Sequence, residues 1–190
     1  MKPVVLRTPR LVLSTPVAAD APTVYEHCQD AALQHWTTVP VPYTMADARA
    51  FVEEFVPQQW ALGSECVLAL RRPGVPGDLL GVVSWQRARG AVGYWLGAAH
   101  RGHGYMAEAL RGLVDWVFGP EHDVDHLRWD CYAGNLGSAH AARAAGFRWV
   151  GTGPCALPDR SGAHPDGWHG ELRREHLGTV EELQRWPVLA

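Results

Sequence analysis

The residues best placed to do chemistry in this chain of 190 residues lie in HRGHGYMAEAL, positions 100–110. Gly102 and Gly104 stand one residue apart, directly before a segment rich in helix formers. The first turn of a helix leaves backbone N–H groups without partners, and the helix dipole makes that end partly positive. Glycines let the backbone curl around a bulky anion without Cβ collisions, and Arg101 adds a fixed positive charge. The pattern suits a diphosphate cradle; a plain glycine-capped turn is the simpler alternative. No G-K-[ST] follows, so this is not a P-loop. The third glycine of a dinucleotide fingerprint is also missing.

Asn135 and Ser138 form a second pair, N-x-x-S. Both types favour helix N-caps, so capping explains them, and a binding role can coexist with it. Asp130, Tyr132 and Glu171 lie on expected strands and are the candidates for a general base; Glu171 could equally be a surface charge. His100 and His103 flank the glycine loop, either as a solvated turn or, for His103, as an aid to phosphate binding when protonated. His122 and His126 beside Asp123 and Asp125 lie in an apparent loop without helical register, so no metal site is expected. Cys28, Cys66, Cys131 and Cys155 are scattered without a CxxC pair. That argues against a zinc site or disulfide framework and for a reduced, cytoplasmic protein.

The elements that must position these residues follow from periodicity and caps. Residues 10–17 read as a strand. Asp20 should cap a helix with Pro22 in its first turn. LQHWTTVPVPY reads as a loop. Thr44 opens a second helix as T-x-x-D, which Pro57 should kink or end and Gly63 should close. Residues 66–72, 78–86 and 91–97 are apolar runs forming a strand meander. A helix after HRGHG puts Met106, Leu110, Leu113, Val114 and Val117 on one face. Then come a strand at 126–132, an alanine-rich helix at 138–145 ending at Gly146, two strands in FRWVGTG and WHGELRREHL, and a short helix in the tail TVEELQRWPVLA. Strands in series followed by a helical crossover predict an α+β fold, with one mixed sheet in a single domain over 1–190.

Bulk properties exclude several classes. The hydrophobic share of 47% and charged share of 19% are those of an ordinary globular chain. A formal net charge of −3 provides no field to recruit nucleic acid or acidic lipid. No run approaches the roughly 18 apolar residues of a membrane span.

Taken with its surroundings, R-G-H-G-Y-M-A-E-A-L resembles the [QR]-x-x-G-x-[GA] loop of the GNAT superfamily of N-acetyltransferases. TPRLVLS near the start, Trp36 with PYT-x-x-DA, GYWL from Gly93 to Leu96, and N-x-x-S followed by Gly146 and Phe147 recur in the expected order. Together they are similar to the RimJ/RimL-like branch, and the resemblance covers nearly the whole chain.

The resemblance implies a GNAT fold in which strands 4 and 5 splay apart and the pantetheine arm of acetyl-CoA, the co-substrate, lies in the gap. Arg101, Gly102, His103, Gly104, Tyr105 and Met106 would grip the diphosphate, Leu96 would sit near the thioester, Trp95 would also contact the co-substrate, and Asn135 would hold the pantetheine amides. A backbone N–H on the strand from Tyr94 to Gly97 would be the oxyanion donor, and the Ser138 hydroxyl would meet the departing thiolate. Trp36, Tyr43 and Trp168 would border the amine acceptor, a peptide or a small molecule, with residues 158–167 as a mobile loop over it. Homodimers are common in this branch.

The chain departs from the family pattern in three respects. Met106 replaces the loop's last small residue. Ala91 and Val92 stand where many relatives carry a glutamate, and Ala142 stands where many carry an acid tyrosine. These absences keep open a non-catalytic acyl-CoA sensor, and transfer of a longer acyl group such as succinyl is a further alternative.

Overall fold

The pattern of buried positions builds the sheet. Leu11 and Leu13 are fully buried, and every residue from Cys66 to Leu70 is buried, as expected of a strand covered on both faces. The computed structural model, which describes residues 1–75, 77–177 and 186–189, has eight strands in one mixed sheet. They are β1 (Val5–Arg7), β2 (Val12–Ser14), β3 (Glu65–Arg71), β4 (Gly81–Gln86), β5 (Ala91–Leu96), β6 (His126–Tyr132), β7 (Arg148–Pro154) and β8 (Asp166–Arg173). Their order across the sheet is β1-β2-β3-β4-β5-β6-β8-β7. Neighbours are antiparallel except β5 and β6, which run parallel.

The helices are α1 (Ala21–Cys28), α2 (Ala31–Trp36), α3 (Met45–Ala50), α4 (Val56–Leu62), α5 (Tyr105–Val117) and α6 (Leu136–Ala144). The expected stripe of α5 is buried: Met106, Leu110, Leu113, Val114 and Val117 join the main core with Leu68 and Leu70 of β3. Ala69, between those two leucines, faces the opposite side. There it meets a second core built from Val24 and Cys28 of α1, Leu33 of α2 and Val52.

Four local expectations are corrected. Asp20 does not cap α1 with its side chain, because a 3₁₀ turn at Ala18–Asp20 already places it in the helical region. Its carboxylate turns back to accept from the Val17 N–H at 2.7 Å and, bidentately, from Arg71 Nη1 and Nη2 at 2.8 and 2.6 Å. Pro57 does not stop the second helix. A π turn at Phe51–Phe55, with Val56 N–H reaching Phe51 O, changes the ladder's register just before the proline, and the rod continues to Leu62. The expected loop at 33–43 begins as the end of α2, whose N-cap Asp30 accepts from Ala32 and Leu33. Finally, β1 is an added strand paired with β2. The Thr44–Asp47 capping box and the left-handed Gly63 C-cap are as expected. Most of the expected tail helix lies outside the described residues.

Candidate functional site

At the C-terminal end of β5 the chain makes a 3₁₀ turn, Ala98–His100, and then reaches Gly102 (φ 80°) and Gly104 (φ 75°). Both lie in the left-handed region that L side chains disfavour. Gly104 is the N-cap of α5 and offers no side chain to cap it. The first N–H groups of the helix therefore follow a turn kept open by two residues without Cβ atoms.

Three side chains brace this loop. Arg101 donates from Nε and Nη2 to Leu96 O at 3.2 and 3.1 Å and pairs with Asp30. The guanidinium expected beside an anion is thus committed to a carbonyl and a carboxylate. Burial pushes the Asp30 carboxyl up, but Arg101 and the cap amides outweigh it and hold it below its usual range. Arg10 donates from Nη1 to His103 O at 3.0 Å and lies 5.0 Å over the Tyr105 ring. Glu108 in turn holds Arg10, accepting from its Nε at 2.6 Å, from its backbone N–H at 2.8 Å, and from Thr8 Oγ1 at 2.6 Å.

Sequence reasoning missed Thr8, Arg10 and Glu108. The available signal was a lone glutamate within the apolar segment MAEALRGLV. Burial raises the Glu108 carboxyl, yet its donors outweigh that and keep it below the usual 4.5. A depressed folded-state value contributes stability above the unfolded value, and that stability is lost as pH falls through the folded value. Glu108→Gln is therefore expected to lower stability at neutral pH. It should also flatten the decline of the urea midpoint on acidification below pH 4.5, relative to the parent chain.

Beyond the loop, β5 and β6 share one register pair among the described residues, Ala91 opposite Arg128. Gly97 N donates to Leu80 O at 2.9 Å, so the odd-numbered residues of β5 pair with β4. By alternation, the N–H groups of Tyr94 and Leu96 point to the side that β6 has left. The gap opens into a cleft of about 1180 Å³. Leu96, Gly104, Met106, Asn135 and Ser138 line it together with Trp95, Arg101, Gly102 and Tyr105. His103 is not on its wall; its ring lies 5.6 Å from that of Tyr105.

Asn135 caps α6, its Oδ1 accepting from Ser138 N at 3.0 Å. Ser138, expected to start the helix, stands in its first turn, and a polar triangle spans the gap there. Trp129 Nε1 on β6 donates to Tyr94 OH at 2.7 Å and to Ser138 Oγ at 3.1 Å. Ser138 Oγ donates to Tyr94 OH at 2.9 Å, and the phenol donates to Ser138 O at 2.9 Å. Burial raises the Tyr94 phenol well above its usual value, so it stays protonated.

Asp130 also lines the cleft and accepts from His169 Nδ1 at 2.6 Å. Tyr132 is on the wall too, its hydroxyl donating to Pro158 O at 3.1 Å. Glu171, expected as a base, instead pairs with Arg173 at 3.0 Å and is not on the cleft wall. It sits opposite Arg128, at the level where β5 and β6 still pair.

The three acceptor-side aromatics separate. Trp36, at the end of α2, lines the cleft. Tyr43 is 7% exposed and packs in the second core, its carbonyl drawn toward α1 by a 3.1 Å hydrogen bond from Gln29 Nε2. Trp168 lies on β8 rather than in a loop, edge-on to Trp149 at 6.2 Å, and is off the cleft wall. The connection between β7 and β8, expected as a mobile loop, is latched to the far side of the cleft. Arg160 donates from Nε to Val39 O at 2.9 Å, and its Nη2 reaches the carbonyls of Gln34 and Thr37 around the end of α2. His122 packs against Trp85 and Trp116, and among the described residues no cluster of ligating side chains could hold a metal.

Comparison with known proteins agrees with this geometry. A family model described as an acetyltransferase (GNAT) domain matches residues 10–148. The protein named probable N-acetyltransferase YjcK of Bacillus subtilis (strain 168) is 39% identical over 79 residues, which are 38% of this chain and 43% of that relative. The matched stretch therefore spans less than half of the relative's length. Among solved structures, RimL, a ribosomal L7/L12 α-N-protein acetyltransferase in complex with coenzyme A, superposes with a TM-score of 0.75 at 20% identity, over 90% of this chain and 98% of that one. The microcin C7 self-immunity acetyltransferase MccE, in complex with acetyl-CoA and AMP, gives a TM-score of 0.74 at 20% identity, over 87% and 93%. A ribosomal-protein-S5-alanine acetyltransferase from Vibrio fischeri gives 0.72 at 19% identity, over 90% and 96%. No described helix is long and apolar enough to cross a membrane.

Proposed function

The chain belongs to the acetyltransferase (GNAT) domain family, and on that premise we propose that it moves the acetyl group of acetyl-CoA to a primary amine by direct attack. The observation that carries this reading is the opening between β5 and β6, which leaves an unpaired strand edge beside the glycine turn at the start of α5. The residues present fit the co-substrate. The N–H groups around Gly102, His103, Gly104, Tyr105 and Met106 suit a diphosphate. The free edge of β5 at Trp95 and Leu96 suits the amides of a pantetheine arm, and Asn135 stands across the gap from it. Acetyl-CoA supplies an activated acetyl thioester.

The acceptor is a protein N-terminus or a small amine. An α-amine, with a reference pKa of about 7.7–8.0, is partly free base near neutrality, whereas a lysine amine at about 10.4 is almost wholly protonated. The N–H of Leu96 is the oxyanion donor, and the Ser138 hydroxyl meets the thiolate. Trp36 borders the acceptor.

Calorimetry with CoA and acetyl-CoA, followed by thiol release with an amine panel, tests the reading. Binding of both with turnover of at least one amine is expected. Binding without turnover of any amine would support a non-catalytic acyl-CoA sensor, and faster turnover of succinyl-CoA would mark a longer acyl group as the cargo. The absence of binding heat with well-folded protein would remove the transferase reading.

A further inference from the structure

We infer that Asp130 is the base that takes the proton from the attacking amine, with His169 and Arg89 as the residues that position it. The inference rests on the acyl-transfer reading and adds a residue to it. Along β6 the side chains alternate. Leu127, Trp129 and Cys131 are buried in the main core, and Trp129 joins Ser138 and Tyr94 on the α6 side of the gap. Asp130 therefore projects from the opposite face. Continuing the parallel register from Ala91 and Arg128 sets Asp130 against Gly93, where β5 has no side chain. A Cβ at Gly93 would lie 3.0 Å from Gln86 Nε2 and 3.1 Å from Ser84 Oγ, so these two polar side chains close over Gly93, and together with Asp130 they line the cleft. Asp130 and Ser138 thus line one cleft from opposite faces of the sheet. In acyl transfer the amine adds to one face of the thioester carbonyl, so the base that receives its proton and the donor that meets sulfur act at separate points of the cleft.

The carboxylate is held for the task. Its side chain is 12% exposed. Oδ1 accepts from His169 Nδ1 at 2.6 Å, and Arg89 Nη2 lies 3.8 Å from Oδ2. Arg89 is fixed in turn by donating from Nη1 to Gln86 Oε1 at 2.6 Å. The far nitrogen of His169 lies over β7, 3.4 Å from where a Cβ on Gly153 would stand. The imidazole therefore turns its second nitrogen away from β6 and acts through Asp130. Cys131 and Cys155 also line the cleft, and burial pushes both thiols up, so neither thiol competes for the amine's proton. In the step, an amine N–H bond breaks and an O–H bond forms on Asp130. The nitrogen adds to the acyl carbon, the resulting oxyanion accepts from Leu96 N–H, and its collapse breaks the C–S bond. The thiolate accepts a hydrogen bond from Ser138 and gains a proton from solvent, and Asp130 returns its own proton to solvent.

The test compares two amines of ordinary α-amine basicity, a peptide with a free N-terminal serine and glycinamide, with the much weaker base aminoacetonitrile. Asp130→Asn should bind acetyl-CoA as the parent does and lose roughly 10²-fold or more in kcat with the peptide and glycinamide. The loss should shrink to a few-fold with aminoacetonitrile, whose weakly basic nitrogen gives up its proton more readily on bonding to the acyl carbon. His169→Asn keeps a donor near the position of Nδ1 and should stay within a few-fold of the parent. His169→Leu should lose about tenfold in kcat, a fraction of the general-base contribution, with the KM for acetyl-CoA unchanged. Parental kcat in Asp130→Asn, or an equal loss with all three amines, would overturn the assignment. If Asp130→Asn does not fold, the two His169 variants decide: equal behaviour of the asparagine and leucine variants would overturn it. Binding of acetyl-CoA by the parent without turnover of these three or of any amine in the wider panel would remove the acyl-transfer reading and this inference with it.

Discussion

Asp20→Ala is expected to lower the unfolding free energy by about 3–5 kcal/mol, the range for removing one partner of a buried ion pair. The Asp20 side chain is 2% exposed and that of Arg71 16%. The variant leaves the guanidinium with only Ser14 Oγ, at 3.2 Å, among its present partners. It also takes the acceptor from Val17 N–H, which closes the turn into α1. The penalty is the desolvation of an uncompensated charge rather than the worth of the pair, so the double variant Asp20→Ala/Arg71→Leu should recover a large part of the loss. Urea unfolding of the three chains measures this. A single-variant midpoint no lower than that of Asp125→Ala, whose side chain is 92% exposed, would contradict the argument.

Asp20 also shows where sequence reasoning stops. An aspartate before Ala-Pro-Thr reads as an N-cap, and only the fold reveals that Arg71, 51 residues away, claims it. Rules that act within a few residues worked: the Thr44 box, the Gly63 cap and the apolar stripe of α5 need no distant partner. Pro57 did not end the helix because a π turn, a change of ladder register with no residue signature, absorbs it. The cleft was legible as a set of types and spacings, since GYWL, the glycine loop and N-x-x-S each belong to one element. The charged groups around it were not. Arg101 meets Asp30, Glu108 gathers Thr8 and Arg10, and Asp130 meets His169 only because separate strands and helices converge. Glu171 and Asp130 illustrate the point as a pair. Both are carboxylates on strands, but one stands against Arg173 away from the cleft and the other at the opening.

On the acyl-transfer reading, Ser138→Ala is expected to reduce kcat by about 10²-fold, the usual scale for losing one donor aimed at developing charge, with little change in acetyl-CoA affinity. The geometry separates this from a folding defect. Removing Oγ takes one donor from Tyr94 OH, but the phenol still donates to Ser138 O and still accepts from Trp129 Nε1. Every buried polar group of the triangle thus keeps a partner, and the stability cost should be about 1 kcal/mol. Tyr94→Phe is the informative counterpart. It leaves the serine hydroxyl in place with its Trp129 donor and releases the Oγ proton that now points at the phenol. Because burial keeps that phenol protonated, Tyr94 serves by orienting Ser138 rather than by giving up a proton, and its loss should cost kcat clearly less than the loss of Ser138. Steady-state kinetics beside calorimetry with acetyl-CoA makes the comparison. A Ser138→Ala enzyme with the parental kcat would leave the triangle as nothing more than a brace holding β5 to β6.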